Sequence, residues 1–243
     1  MKQFLHLSPE ETKGLDVLIY KNALQLKKDA MLIAASRKSY SSATSMLILS
    51  SEEAIKSVLV RLHAEHYNIY KLKEAGKFFK DHKIRHQIAQ LIEMGSGLIE
   101  SLKKYDEQQP TKLLNTKIKW LDGLVNGLID LAHSAKPFLD STERVKALQA
   151  FNDLKNKGFY VDYRDRQILP QNEVTESIYN RTLLITERVF KFNKIVRIIF
   201  HEKLENHMSL EEINKWKIIL EDLIDNGMKE FSFKELNKSM SKV

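Results

Sequence analysis

The residues best suited to proton transfer lie in one stretch, Phe79-Lys80-Asp81-His82-Lys83-Ile84-Arg85-His86. His82 and His86 are four residues apart, which puts two imidazoles on one face of a helix. Imidazole titrates near pH 6.5, so one ring could accept a proton and the other release one near neutrality. Lys80, Lys83 and Arg85 surround the pair with positive charge, which favours a phosphate and disfavours a bound dication. The same residues would also make an ordinary basic helix face in solvent. A second constellation is Glu52-Glu53-Ala54-Ile55-Lys56, where Glu52 and Lys56 are four apart and face each other on one helix side. Alone, such a pair is an intrahelical ion pair worth about 0.2–0.5 kcal/mol. As part of a site, Glu52, Glu53 and Lys56 would orient the histidine cluster from a neighbouring helix. Arg61 and His66, with four residues between them, form an alternative pair.

What the sequence lacks narrows the chemistry further. The chain has no Cys, which excludes disulfides, thiolate zinc sites, iron–sulfur ligation and Cys nucleophiles, and fits a reducing cytosol. It contains no phosphate-cradling Gly-rich loop, no His-Glu-x-x-His and no calcium-loop spacing. No metal and no cofactor are expected. With 39 Lys+Arg against 32 Asp+Glu the net charge is +7, a balance that favours phosphate-bearing or acidic partners. No run approaches the roughly 18 apolar residues of a membrane span, and the start, MKQFLHLSPEE, turns acidic too soon for a signal peptide. A cytoplasmic protein without membrane contact is expected.

The elements that must position these groups are helical. Among 243 residues there are only 8 Gly and 4 Pro, too few for a sandwich, barrel or propeller. Ser8-Pro9-Glu10-Glu11 is a capping box opening a first helix, with Leu15, Leu18, Ile19, Ala23, Leu26, Ala30, Ile33 and Ala34 as its apolar stripe. After a break at Ser39 to Ser42, a second helix covers about 43–70, with Met46, Leu47, Leu49, Ile55, Leu59 and Leu62 inward. A third runs from about Phe78 to Gly95, a fourth from Lys112 to Lys136 before Pro137, and a fifth from Thr142 to Lys157. Gly158 is then placed as a left-handed C-cap. Phe159-Tyr160-Val161-Asp162-Tyr163 changes the period, so a small β-hairpin or ordered loop is expected over 159–169. A sixth helix covers about 174–205, and a seventh starts at the box Ser209-Leu210-Glu211-Glu212 and ends near Gly227. The division is a helical core (1–157), the insert (158–173), a C-terminal helical pair (174–230) and a frayed tail (231–243). The fold class is all-α, a bundle of about seven helices with one small insert.

Four stretches in this order resemble the abortive-infection protein V (AbiV) family of bacterial phage-defence proteins. They are Tyr20-Lys21-Asn22-Ala23-Leu24 continuing to Asp29-Ala30, Leu47 to Lys56, Phe79-Lys80-Asp81-His82-Lys83, and Lys157-Gly158-Phe159-Tyr160-Val161-Asp162-Tyr163 followed by Pro170. The last, similar to a Gly-x-Tyr-Val-Asp signature, is the most specific, because a strand-like insert is rare in a helical chain. The resemblance covers about residues 15–180. The chain departs from the family at Ile55 and at Arg166, where Gly is frequent.

The resemblance implies a HEPN-like core of four helices and a metal-independent endoribonuclease with a site composed across a homodimer. It also implies an Arg-x(4–6)-His motif, matched in spacing by Arg61 and His66, although Leu62 stands where a polar residue is usual. Glu52 and Lys56 match the spacing of a Glu-x-x-x-Lys element. On this reading the protein is an antiviral effector that cleaves RNA and arrests growth or translation, with a phage-encoded protein as a possible activator. His82 and His86 take the acid/base roles, Lys80, Lys83 and Arg85 hold phosphate, and Glu52, Glu53 and Lys56 orient them. The competing reading is a non-catalytic helical module that sequesters a phage or translation protein, its charged motifs forming a buried network that holds helices in register.

Overall fold

The capping box at Ser8 forms, yet it starts a helix of a single turn, α1 (Pro9–Thr12). The Ser8 hydroxyl accepts from the Glu11 amide, and the Glu11 carboxylate accepts from the Ser8 amide. Gly14 then takes a left-handed conformation at φ 81°, which a side chain would resist. The chain restarts as α2 (Leu15–Arg37), so one periodic stripe in the sequence becomes two helices. The computed structural model describes residues 3–71, 154–164 and 166–222. Within them follow α3 (Tyr40–Ala64), a helical stretch at 154–159, strands β1 (Asp162–Arg164) and β2 (Arg166–Ile168), α4 (Pro170–Glu173), α5 (Glu176–Ile199) and α6 (Leu210–Asp222). The helices expected near 78–95 and 112–136, most of 142–157 and the tail 231–243 lie outside the described residues. Among the described residues the protein is all-α apart from one two-stranded antiparallel ribbon, as the scarcity of Gly and Pro predicts. The sixth helix is shorter than its pattern: α5 stops at Ile199, and a 3-10 turn (Glu202–Asn206) takes its place.

α3 is the element on which the others pack, meeting α1, α2, α4 and α5. Its Ile55, Leu59 and Leu62 are buried with Val189, Ile195 and Val196 of α5, each large side chain contributing about 1.5–3 kcal/mol. The α2 face that meets α3 is made of Ala23, Ala30 and Ala34 rather than the stripe's leucines, and Leu18 is exposed. Small residues let the two backbones approach closely enough for side-chain bonds across the interface. Ser50 Oγ donates to the Ala23 carbonyl at 2.7 Å and Ser57 Oγ to the Asp16 carbonyl at 2.9 Å. These partners run in opposite order, so α2 and α3 are antiparallel. Ser51 Oγ to Thr186 Oγ1 (2.9 Å) and Asn193 Nδ2 to the Ala54 carbonyl (2.8 Å) advance together, so α3 and α5 are parallel.

The role of Gly158 differs from the expected left-handed cap. It sits inside the helical stretch 154–159, and of the described glycines only Gly14 has positive φ. A Cβ at Gly158 would come within 2.1 Å of Ser45 Oγ and 2.6 Å of the Ser41 carbonyl oxygen. Glycine is needed there for close approach to α3. The hairpin itself forms inside its expected span, with Asp162 opposite Ile168 and Tyr163 opposite Gln167.

Candidate functional site

Consecutive residues of a helix point about 100° apart, and α3 uses this to send two glutamates to different neighbours. Glu52 is buried and accepts from the Lys155 ammonium at 3.1 Å. The helix-side pairing of Glu52 with Lys56 expected from their spacing is therefore replaced. Lys56 pairs with Glu53, one turn back on the same helix. Glu53 also accepts from the Asn22 amide of α2 at 3.3 Å. Glu52 thus braces the 154–159 stretch against α3, while Asn22, Glu53 and Lys56 form a partly exposed polar cluster on the seam between α2 and α3. In that cluster the carboxylate is oriented from two sides and can accept a further hydrogen bond. The ammonium can also meet an incoming anion.

Arg61 and His66, the alternative pair, each have other contacts in the fold. Arg61 donates to the Phe200 carbonyl at 2.7 Å and pairs with Glu65 at 2.7 Å, its guanidinium 5.9 Å from the Phe200 ring centre. It satisfies an orphan carbonyl at the end of α5. His66 lies beyond the end of α3 at φ 67°. The His66 amide donates to the His63 carbonyl and the Tyr67 amide to the Leu62 carbonyl, both at 3.0 Å. These two bonds are a Schellman termination, with His66 at the position that usually holds glycine. Its ring is exposed and 3.8 Å from Glu10. Arg61 and His66 thus each take part in the end of a helix.

Beside them His63, which the sequence did not single out, stacks on Tyr70 with ring centres 3.7 Å apart and contacts the Leu7 carbonyl through Nε2 at 3.0 Å. Burial holds its pKa below the ordinary value of 6.5, against the raising effect of that carbonyl. Burial also pushes the Tyr67 and Tyr70 hydroxyls up to about 12. The sequence likewise does not mark Asn22 or Lys155: Asn22 belongs to a stretch that carries the family resemblance alone, and Lys155 is far from Glu52 in sequence. His82, His86, Lys80, Lys83 and Arg85 lie outside the described residues, as does any contact between Glu53 and His82. Among the described residues no group of three or more His, Cys, Asp or Glu could hold a metal ion. No helix among them is long and apolar enough to cross a membrane.

Three of the four stretches that carried the resemblance converge on α3: Asn22 through Glu53, the α3 run itself, and Gly158 against Ser41 and Ser45. Together with the helical order this defines an all-α bundle of HEPN-like type. The AbiV family model matches residues 12–191, and the chain belongs to that family of HEPN-type abortive-infection proteins. No curated protein and no solved structure matches it.

Proposed function

We propose that this abortive-infection protein is the effector itself, a metal-independent endoribonuclease acting in the cytoplasm through a site completed by homodimerisation. The observation that carries the reading is the partly exposed cluster of Asn22, Glu53 and Lys56. Glu52 and Arg61 are taken up in holding helices together, whereas Glu53 and Lys56 sit where a substrate can reach them. In the reaction His82 removes the proton of a ribose 2′-hydroxyl, and that oxygen attacks the adjacent phosphorus. The bond from phosphorus to the 5′ oxygen breaks, and His86 returns a proton to the leaving oxygen. The products are a 2′,3′-cyclic phosphate and a 5′-hydroxyl. Lys80, Lys83 and Arg85 stabilise the charge on the pentacoordinate phosphorus, and Glu53 orients the acid/base pair. A phage-encoded protein acts as the trigger.

A second reading has its own observation. The buried Glu52–Lys155 pair and the capping role of Arg61 are what a binding module with structural charges would show. Growth arrest by variants separates the two. The effector reading expects His82→Ala and Glu53→Gln proteins that keep wild-type unfolding temperatures and lose arrest. Full arrest by a folded His82→Ala protein would remove that residue from the site and favour the binding module.

A further inference from the structure

The segment that begins at Gly158 turns from buried to exposed within two residues. Gly158 is pressed against α3, yet Phe159 is 44% exposed, Tyr160 66%, Val161 61% and Tyr163 74%. The ribbon register makes this a face. Tyr163 and Gln167 are register partners, so both fall on one side of the ribbon, with exposed Val161 and Leu169 flanking them. Ile168, one residue over, is buried and anchors the other side. Phe159 and Tyr160 meet edge to face with ring centres 6.5 Å apart. Three aromatic rings thus stand in solvent on an arm rigidly seated at its base.

The charge around this arm identifies its occupant. Gly158 seats it at Ser41, in the first turn of α3, and the corner just before that turn carries exposed Arg37 and Lys38. Lys157 precedes the aromatic run. The acidic residues of the segment are Asp162 and Asp165, and Asp162 accepts from the Tyr163 amide at 2.8 Å. Glu176, at the start of α5, accepts from the Tyr40 hydroxyl. Aromatic rings interleaved with cations are the surface that binds single-stranded nucleic acid, because every base has a π face and every linkage a phosphate. We propose that Phe159, Tyr160 and Tyr163 form a stacking platform for unpaired bases of RNA, with Arg37, Lys38 and Lys157 on the phosphates. The platform rests on the ribonuclease reading and adds to it a binding surface distinct in sequence from the histidine cluster, which selects single-stranded over duplex substrate.

The test is fluorescence anisotropy of the full chain with a labelled single-stranded RNA of ~12 nucleotides, within the range of single-strand site sizes. The Tyr160→Ala/Tyr163→Ala double variant is expected to bind roughly 10- to 100-fold more weakly. Tyr160→Phe/Tyr163→Phe, which keeps both rings, is expected to bind like wild type. A duplex of the same length, whose bases are already stacked, is expected to bind weakly and to be indifferent to all four substitutions. Because both tyrosines are exposed, unfolding temperatures should not change. Equal RNA affinity of wild type and double alanine variant overturns the platform. So does growth arrest or self-association that depends on the tyrosines while RNA affinity does not, which would give the face to a protein partner or a second copy. The ribonuclease reading is judged separately, by RNA cleavage: cleavage that persists with an unchanged affinity leaves that reading standing without the platform.

Discussion

Gly158→Ala sets two opposed effects against each other, and the structure says which wins. Replacing glycine by alanine inside a helical stretch should by itself stabilise by about 0.5–1 kcal/mol, through the lower entropy of the unfolded chain. Against this, the new methyl would lie 2.1 Å from Ser45 Oγ and 2.6 Å from the Ser41 carbonyl oxygen. The serine side chain can rotate away, but the carbonyl belongs to the α3 backbone and cannot. Moving the 154–159 stretch outward costs about 1–3 kcal/mol, the range for overpacked sites. The same shift strains the bond from Ser45 Oγ to the Lys155 carbonyl, now 2.9 Å, worth a further ~0.5–1.5 kcal/mol. The net expectation is a loss of about 0.5–4 kcal/mol, or roughly 1–16 °C in unfolding temperature for a chain of this size. Urea denaturation followed by circular dichroism measures it. Adding Ser45→Ala to the variant should recover only part of the loss, because the carbonyl contact remains. A Gly158→Ala protein as stable as wild type, or more so, would refute the close-approach account.

Further outcomes follow from the neighbouring contacts. Lys155→Ala leaves the buried Glu52 carboxylate without its ammonium and should cost about 3–5 kcal/mol in denaturant midpoint experiments, while Glu52→Gln/Lys155→Met should recover most of it. His66→Gly should stabilise by about 0.5–1 kcal/mol, because φ 67° is left-handed and the exposed contact to Glu10 contributes little. For His63 the folded pKa lies below the ordinary 6.5, so the unfolded chain takes up the proton first. Its share of stability is complete above about pH 6.5 and is lost as the pH falls from there through the folded value. His63→Phe should flatten that part of a plot of denaturant midpoint against pH.

The described helices were legible because apolar period, caps and the scarcity of Gly and Pro are local signals. The hairpin was legible because Phe159 to Tyr163 breaks that period. What could not be read is what depends on a partner distant in sequence. Ser45, Ser50, Ser51 and Ser57 look like the solvated side of a helix, yet all four are buried and donate to groups on neighbouring elements. The spacing of Glu52 and Lys56 is a true local signal that was outcompeted: Lys155 offers Glu52 a buried partner, and Glu53 is left to take Lys56. The role of Gly158 is not legible, since a glycine that admits a neighbouring helix and one that turns left-handed look the same in sequence. Arg61 and His66 match a motif spacing, and their roles at the ends of α5 and α3 depend on partners that the spacing does not show.

The claim that most needs testing is that this abortive-infection protein cuts RNA without a metal. Purified wild-type and His82→Ala proteins should be incubated with total cellular RNA in EDTA, and the ends of the fragments identified. Wild-type protein is expected to give discrete fragments ending in 2′,3′-cyclic phosphate and beginning with 5′-hydroxyl, and the folded His82→Ala protein is expected to give none. RNA left intact by a wild-type preparation that still arrests growth, or the same fragments from His82→Ala, would contradict the account.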